Sequence, residues 1–121
     1  MTAPKRKKDD SFKDFVTDAL SGLGGLRVRP MFGGHGYYSN DDFFALSWKG
    51  SLYFRVDDRT RPTYEARGAK PFVYSRDGRS MTMAYYEVPT EIIEDHEEIV
   101  RWAEEAVAAG RRAKAAKTKK K

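Results

Sequence analysis

The segment from Phe72 to Tyr86 is built around Arg76-Asp77-Gly78-Arg79, with alternating side-chain types on both sides. No other feature constrains the fold as strongly. Asp-Gly accepts the positive φ angles of a two-residue type I′ turn, whose twist matches that of paired strands, so an antiparallel hairpin is expected here. A two-residue turn at Asp77-Gly78 sets Phe72 opposite Met83 and Tyr74 opposite Met81, and these four share a face with Tyr85. Val73, Ser75, Ser80, Thr82, Ala84 and Tyr86 take the other face, which is smaller and more polar. Pro89, which has no backbone donor, ends the pattern.

A second hairpin is expected from Phe43 to Val56. Phe44, Leu46, Trp48, Leu52, Phe54 and Val56 are all even-numbered. A loop with an even number of residues would pair even positions with odd ones and divide this set between the two faces. The alternation therefore predicts an odd loop around Lys49-Gly50, with Gly50 in the left-handed region and all six side chains together. Leu26 to Phe32 alternates as a short strand.

Helical spacing marks both ends of the chain. Phe12, Phe15, Val16, Ala19, Leu20 and Leu23 follow the i, i+3, i+4 rule from Ser11 to Leu23, with Ser11 as the cap and Gly24-Gly25 as the stop. Thr60 to Arg67 reads as a short helix capped by Thr60, with Pro62 in its first turn and Gly68 ending it. A last helix follows Asp95, has Glu98 as the capping partner, buries Ile99, Ala103, Ala106 and Val107, and ends near Gly110. The expected class is α+β. It has a mainly antiparallel sheet of two hairpins plus an N-terminal strand, flanked by N-terminal, short middle and C-terminal helices. Helices gathered on one face leave the other open to a partner.

Composition narrows the chemistry. The chain has 121 residues and no cysteine, which gives one domain and excludes a disulfide framework, a thiolate nucleophile and sulfur-ligated zinc. No apolar run has the length of a membrane span, and the expected location is cytoplasmic. The net charge of +5 is unevenly placed. Residues 11–110, the expected domain, hold 12 basic and 16 acidic side chains, a net −4. Residues 1–10 form a basic N-terminus, read as flexible. Residues 111–121 form a Lys/Ala-rich tail with seven basic side chains and no acidic ones: Arg111, Arg112, Lys114, Lys117, Lys119, Lys120 and Lys121. Such a tail suits non-specific, salt-dependent contact with nucleic-acid phosphates, or is simply solvated.

Candidate motifs do not assemble a catalytic centre. In RPMFGGHGYY, residues 29–38, Gly33, Gly34 and Gly36 lack the spacing of a dinucleotide fingerprint, and the chain has no Gly-Lys-Ser/Thr phosphate loop. A structural turn or bulge is the expected role. The alternative is a small anion held by its amides beside Arg29. His35 and His96 lack metal-ligand spacing. Asp41-Asp42, Asp57-Asp58 and the run from Glu91 to Glu98 suit turns and a helix start, where solvated acids are favoured. No catalytic, cofactor or metal residue is assigned. Tyr85 and Tyr86 point to opposite faces, and Trp48, Tyr53 and Arg55 can extend an aromatic–arginine surface suited to protein interfaces or base stacking.

RPMFGGHGYY, FALSWKGSLYFRVDD, TRPTYEARGAKPFVY and MAYYEVP, followed by an acidic helix, resemble the N-terminal domain of the TfoX/Sxy family in order from about Phe12 to Gly110. The resemblance implies a small α+β module of secretion-chaperone-like architecture that often forms homodimers. Members resemble transcriptional coactivators that work with a cyclic-AMP-responsive activator on competence genes in bacteria, with no ascribed catalytic residues or cofactors. The family signature falls on Arg29, Met31, Phe32, Gly33, Gly34, Arg61, Pro62, Tyr85, Tyr86, Glu87 and Pro89, as fold or interface positions. Longer relatives carry a second domain where this chain has its basic tail. The expected function is a non-enzymatic regulatory module acting through a protein partner, such as a transcription activator. The alternatives are a nucleic-acid binder working through the tail, and an enzyme using the Gly33-Gly34 turn.

Overall fold

In a computed structural model, which describes residues 8–31, 34–76 and 79–119, six antiparallel strands form one sheet. They are β1 (Leu26–Met31), β2 (Gly34–Ser39), β3 (Asp42–Trp48), β4 (Ser51–Arg55), β5 (Pro71–Arg76) and β6 (Arg79–Glu87), and they lie side by side in the order β1-β2-β3-β4-β6-β5. Helices α1 (Lys8–Ala19), α2 (Arg61–Ala66), α3 (Thr90–Ile93) and α4 (His96–Lys119) complete the α+β fold. β2 is one strand more than the sequence reading expected. It carries most of the glycine-rich segment that was expected to form a turn or bulge.

The register Arg76↔Arg79, Tyr74↔Met81 agrees with the two-residue Asp77-Gly78 turn, although Asp77 and Gly78 themselves lie outside the described residues. The register shifts between Pro71 and Val73, so the alternation is interrupted at Phe72.

The Lys49-Gly50 hairpin overturns the expected odd loop. Trp48 pairs with Ser51 and Ala45 with Phe54, leaving a two-residue turn. Lys49 and Gly50 both take positive φ, 51° and 78°, the signature of a type I′ turn. Even positions therefore pair with odd ones, and the apolar set divides between the faces. A bulge in β3 completes the division: Tyr37 pairs with Ala45 but Tyr38 with Phe43, so Phe44 is the extra residue. Phe44 and Ala45 enter the main core, while Phe43 joins the opposite face.

That main core lies beneath the helices. Val16 and Leu20 from the α1 region, Ile92 and Ile93 of α3, and Ile99, Trp102, Ala103 and Ala106 of α4 are buried against Tyr37, Phe44, Leu52, Phe54 and Val56. Burying each large apolar side chain contributes about 1.5–3 kcal/mol, so this layer dominates the stability of the sheet. Ala45 and Ser47 are also buried, and small side chains in β3 suit the strand against which α4 packs. Ser47 Oγ lies 2.9 Å from Tyr37 Oη, in a hydrogen bond that satisfies two buried hydroxyls.

Three helix boundaries differ from expectation. α1 starts at Lys8, ahead of Ser11, so Ser11 lies within it and the expected flexible 1–10 segment is helical from residue 8. Thr60 precedes α2 but does not cap it, because its φ of −96° and ψ of −24° are already helical. Its Oγ1 accepts from the Asp57 backbone N–H at 3.0 Å, while Asp57 Oδ1 accepts from the N–H groups of Arg59 and Thr60 at 3.1 and 3.2 Å. Pro62 in the first turn and Gly68 at φ 76° act as expected. α4 does not end near Gly110 but runs to Lys119. The Arg, Ala and Lys residues that follow are strong helix formers and outweigh the roughly 1 kcal/mol penalty of one glycine. Its start is as expected: Asp95 Oδ1 accepts from the N–H groups of Glu97 and Glu98.

Candidate interaction surface

Among the described residues, every helix contributing to the core packs on the same side of the sheet. The other side carries a separate cluster: Leu46, Phe72 and Tyr85 are buried, with Phe43, Trp48 and Tyr53 half-buried around them. Strand pairing puts them there. Leu46 stands opposite Tyr53, and Arg55 opposite Tyr85, on adjacent strands. Tyr53 packs on Phe72 at 4.9 Å between ring centroids, and Trp48 meets Phe72 edge-on at 5.6 Å. Phe43 bridges Tyr85 at 5.6 Å and Tyr38 at 5.1 Å. These separations and tilts are those of favourable aromatic pairs.

Cations border the cluster. The Arg29 guanidinium lies 6.0 Å from the Tyr38 ring centre, Lys49 Nζ 4.5 Å from Trp48, and the Arg55 guanidinium 5.7 Å from Tyr85. Burial pushes the Tyr85 hydroxyl pKa up, against the hydrogen bond and charge of Arg55. Tyr53 is raised as well, by burial first and then by the neighbouring Glu87. Both are neutral phenols at physiological pH. Arginine and aromatic side chains of this kind are common at protein interfaces, and among the described residues of this face no nucleophile stands beside a base. Among the described residues no group of three or more His, Asp or Glu could hold a metal ion.

The glycine-rich segment forms one end of this face. Met31 pairs with Gly34, so the chain reverses directly between β1 and β2, as the turn reading requires. Phe32 and Gly33 lie outside the described residues. A Cβ on Gly34 would sit 2.0 Å from the Ser47 carbonyl oxygen, so glycine there permits close approach of β2 to β3. A Cβ on Gly36 would meet Met31 Cε, Met31 Sδ and Phe43 Cε1 at 2.8–2.9 Å. The absent side chain leaves the space those two side chains occupy.

Arg29, Met31, Gly34, Tyr85 and Glu87 thus lie on or beside the aromatic face, and four other signature positions do not. Arg61 pairs with Asp58 at 2.7 Å, and Pro62 starts α2. Tyr86 donates from its hydroxyl to Glu65 at 2.8 Å and packs beside Tyr64 on the helix side. Pro89 precedes α3. Of the tail residues, Arg111 binds Asp42 at 2.7 Å and Arg112 binds Asp57 at 2.5 Å. Lys114, Lys117 and Lys119 continue α4, while Lys120 and Lys121 lie outside the described residues.

Two functional positions escaped the sequence reading. Trp102 packs edge-on to Tyr64 at 4.9 Å beneath the Arg67 guanidinium, although its i+3 spacing from Ile99 was available as a signal. Asp57 organises its loop and ties down α4, where a solvated turn acid was expected. The Arg112 hydrogen bond holds its carboxyl at about 2, below the usual 3.8, against the opposing effect of burial.

A one-sided antiparallel sheet, helices from both ends on its covered face and an aromatic patch on the open one define a small α+β module. The profile of the TfoX N-terminal domain matches residues 18–110, and the chain belongs to that family. It is similar to the DNA transformation protein TfoX1 of Aliivibrio fischeri (strain ATCC 700601 / ES114), with 31% identity over 86 residues. That alignment covers 71% of this chain and 39% of the relative, so the chain spans about two fifths of the relative's length.

Proposed function

We propose that this chain is a non-catalytic regulatory module for DNA-uptake competence, working in the cytoplasm through a protein partner, such as a transcription activator, that docks on the open aromatic face. The observation that carries this reading is the half-buried rim of Trp48 and Tyr53 around a buried Leu46, Phe72 and Tyr85 base, on a sheet side without a covering helix among the described residues. Tyr, Trp and Arg are the side chains that dominate binding energy at protein interfaces. Membership of the TfoX N-terminal family and the name of the Aliivibrio relative support the competence role.

The test pairs a competence-gene reporter with sedimentation of the purified chain. A Trp48→Ser, Tyr53→Ser double variant, which gives up two ring contacts with Phe72, melts at a lower temperature but stays folded at the assay temperature, and it loses reporter activation. If the occupant is a second copy, the wild-type chain sediments as a dimer and the variant as a monomer. A variant that activates the reporter fully and associates as wild type does would remove this face from the function.

A further inference from the structure

The Val56-Asp57-Asp58-Arg59-Thr60-Arg61-Pro62 segment contains the signature positions Arg61 and Pro62 and runs from the Arg55 border of the open face towards the helix side. Leaving β4, it turns into α2 while the C-terminal part of α4 passes alongside. Between them is an open cleft of about 390 Å³, lined by Arg55, Arg59, Arg61 and Arg112 together with Asp57 and Asp58. Four guanidinium groups against two carboxylates leave an excess of two positive charges, in a body of residues 11–110 whose net charge is −4.

The two aspartates are already engaged. Asp57 binds Arg112 at 2.5 Å, and Asp58 binds Arg61 at 2.7 Å. Among the described residues no carboxylate is paired with Arg55 or Arg59. Arg55 turns its guanidinium toward Tyr85, yet its Nε is buried without a hydrogen-bond acceptor. A buried charged donor with no acceptor is uncommon in folded proteins and calls for an explanation.

We propose that this cleft binds a phosphorylated small molecule, gripping its phosphate monoester between Arg55 and Arg59. A phosphate monoester carries nearly two negative charges at neutral pH, which matches the excess of two. Its oxygens accept the paired N–H donors of guanidinium groups bidentately. Asp57 and Asp58 act as positioning residues that hold Arg112 and Arg61 at the walls. The cleft volume falls within the range of small-molecule sites, larger than a bare phosphate requires.

The test is a titration of the full chain, followed by ¹H–¹⁵N NMR at constant ionic strength, with inorganic phosphate and with adenosine 5′-monophosphate. The expected result is saturable shifts confined to residues 55–61 and 112–113. Arg59→Gln weakens binding about fivefold or more, the effect of losing one charge-assisted contact, without changing the melting temperature. Arg27→Gln, on the opposite edge strand, leaves binding unchanged. Tighter binding of the nucleotide assigns the site to phosphorylated small molecules, and equal binding assigns it to free phosphate. Shifts reproduced by sodium chloride alone, or an Arg59→Gln chain that binds as wild type does, would overturn the proposal. The site shares Arg55 with the border of the open face, but it is tested separately from the protein-docking reading, because the Trp48→Ser, Tyr53→Ser variant retains Arg55 and is expected to keep its phosphate affinity.

Discussion

Replacing Asp57 with Asn isolates one charge in the contact that fastens the far end of α4 to the body. Asn keeps an oxygen to accept from the Arg59 and Thr60 N–H groups, but it loses the carboxylate that faces Arg112 Nε. The carboxyl is held at about 2 against an ordinary 3.8. A gap of nearly two pKa units corresponds to about 2.5 kcal/mol at neutral pH as an upper limit. The Arg112 side chain is 36% exposed, so solvent screening brings the expected loss down to about 1 kcal/mol. Urea unfolding followed by tryptophan fluorescence is the assay, with Trp48 and Trp102 on opposite faces as reporters. The midpoint is expected to fall by about 0.5–1 M.

The pH dependence has a definite sign. Because the folded pKa lies below the unfolded one, the Asp57 contribution is fully present above about pH 4 and fades as pH falls through 3.8 towards 2. The gap between wild type and Asp57→Asn therefore narrows on acidification. Arg112→Gln should cost a similar amount, and the double variant should cost less than the two singles added together. A gap as wide at pH 2 as at neutral pH, or costs that simply add, would refute the account of this contact.

Other perturbations probe the sheet and its buried phenols. Gly34→Ala must push β2 away from the Ser47 carbonyl oxygen and is expected to cost about 2–4 kcal/mol in urea unfolding. Gly50→Ala meets open space but an unfavourable φ of 78° and should cost only about 1 kcal/mol; equal costs at the two positions would contradict the close-approach explanation. In an alkaline titration followed by tyrosine absorbance, Tyr53, Tyr64 and Tyr85, raised chiefly by burial, and Tyr86, raised chiefly by its hydrogen bond to Glu65, should ionise later than in the unfolded chain. Raised folded values mean that this stabilisation is complete below the ordinary 10.0 and is lost as pH climbs through the folded values, so ionisation and unfolding should coincide. Seven tyrosines titrating together at the ordinary value would be the contrary result.

What the sequence revealed depended on whether a local signal carried three-dimensional information. Asp77-Gly78 specifies its own register, and the pairing of Tyr74 with Met81 follows from it. Asp95 likewise announces the start of α4. The even-numbered run from Phe44 to Val56 misled because strand alternation cannot show a bulge. In Phe43-Phe44 either ring could face the core, and only the pairing of both Phe43 and Ala45 with β2 decides it. The open aromatic face was therefore glimpsed in parts: Phe72 was expected on one face with Tyr85, and Leu46 with Trp48, but the joining of the two hairpins' contributions into one cluster was not. β2 was hidden for a different reason. Glycines that mark loops elsewhere serve here as close-approach positions within a strand, a role defined by the neighbouring strand. Asp57 shows the same limit at longer range: its partner Arg112 is 55 residues away, and nothing local distinguishes the aspartate from a solvated one.

The placement of α1 and α4 over the same side of the sheet also bears on how the protein emerges from the ribosome. All six strands precede α4, so the sheet can pair while the side meant for the core is covered only in part, by α1 and α2. Ile99, Trp102, Ala103, Ala106 and Ala109 act as the closing layer and are synthesised after every residue they cover. Until they arrive, part of the apolar surface on the helix side remains open as well, the state in which strands stick to the wrong neighbours. A message truncated within α4 would yield an aggregation-prone two-faced sheet that quality control removes.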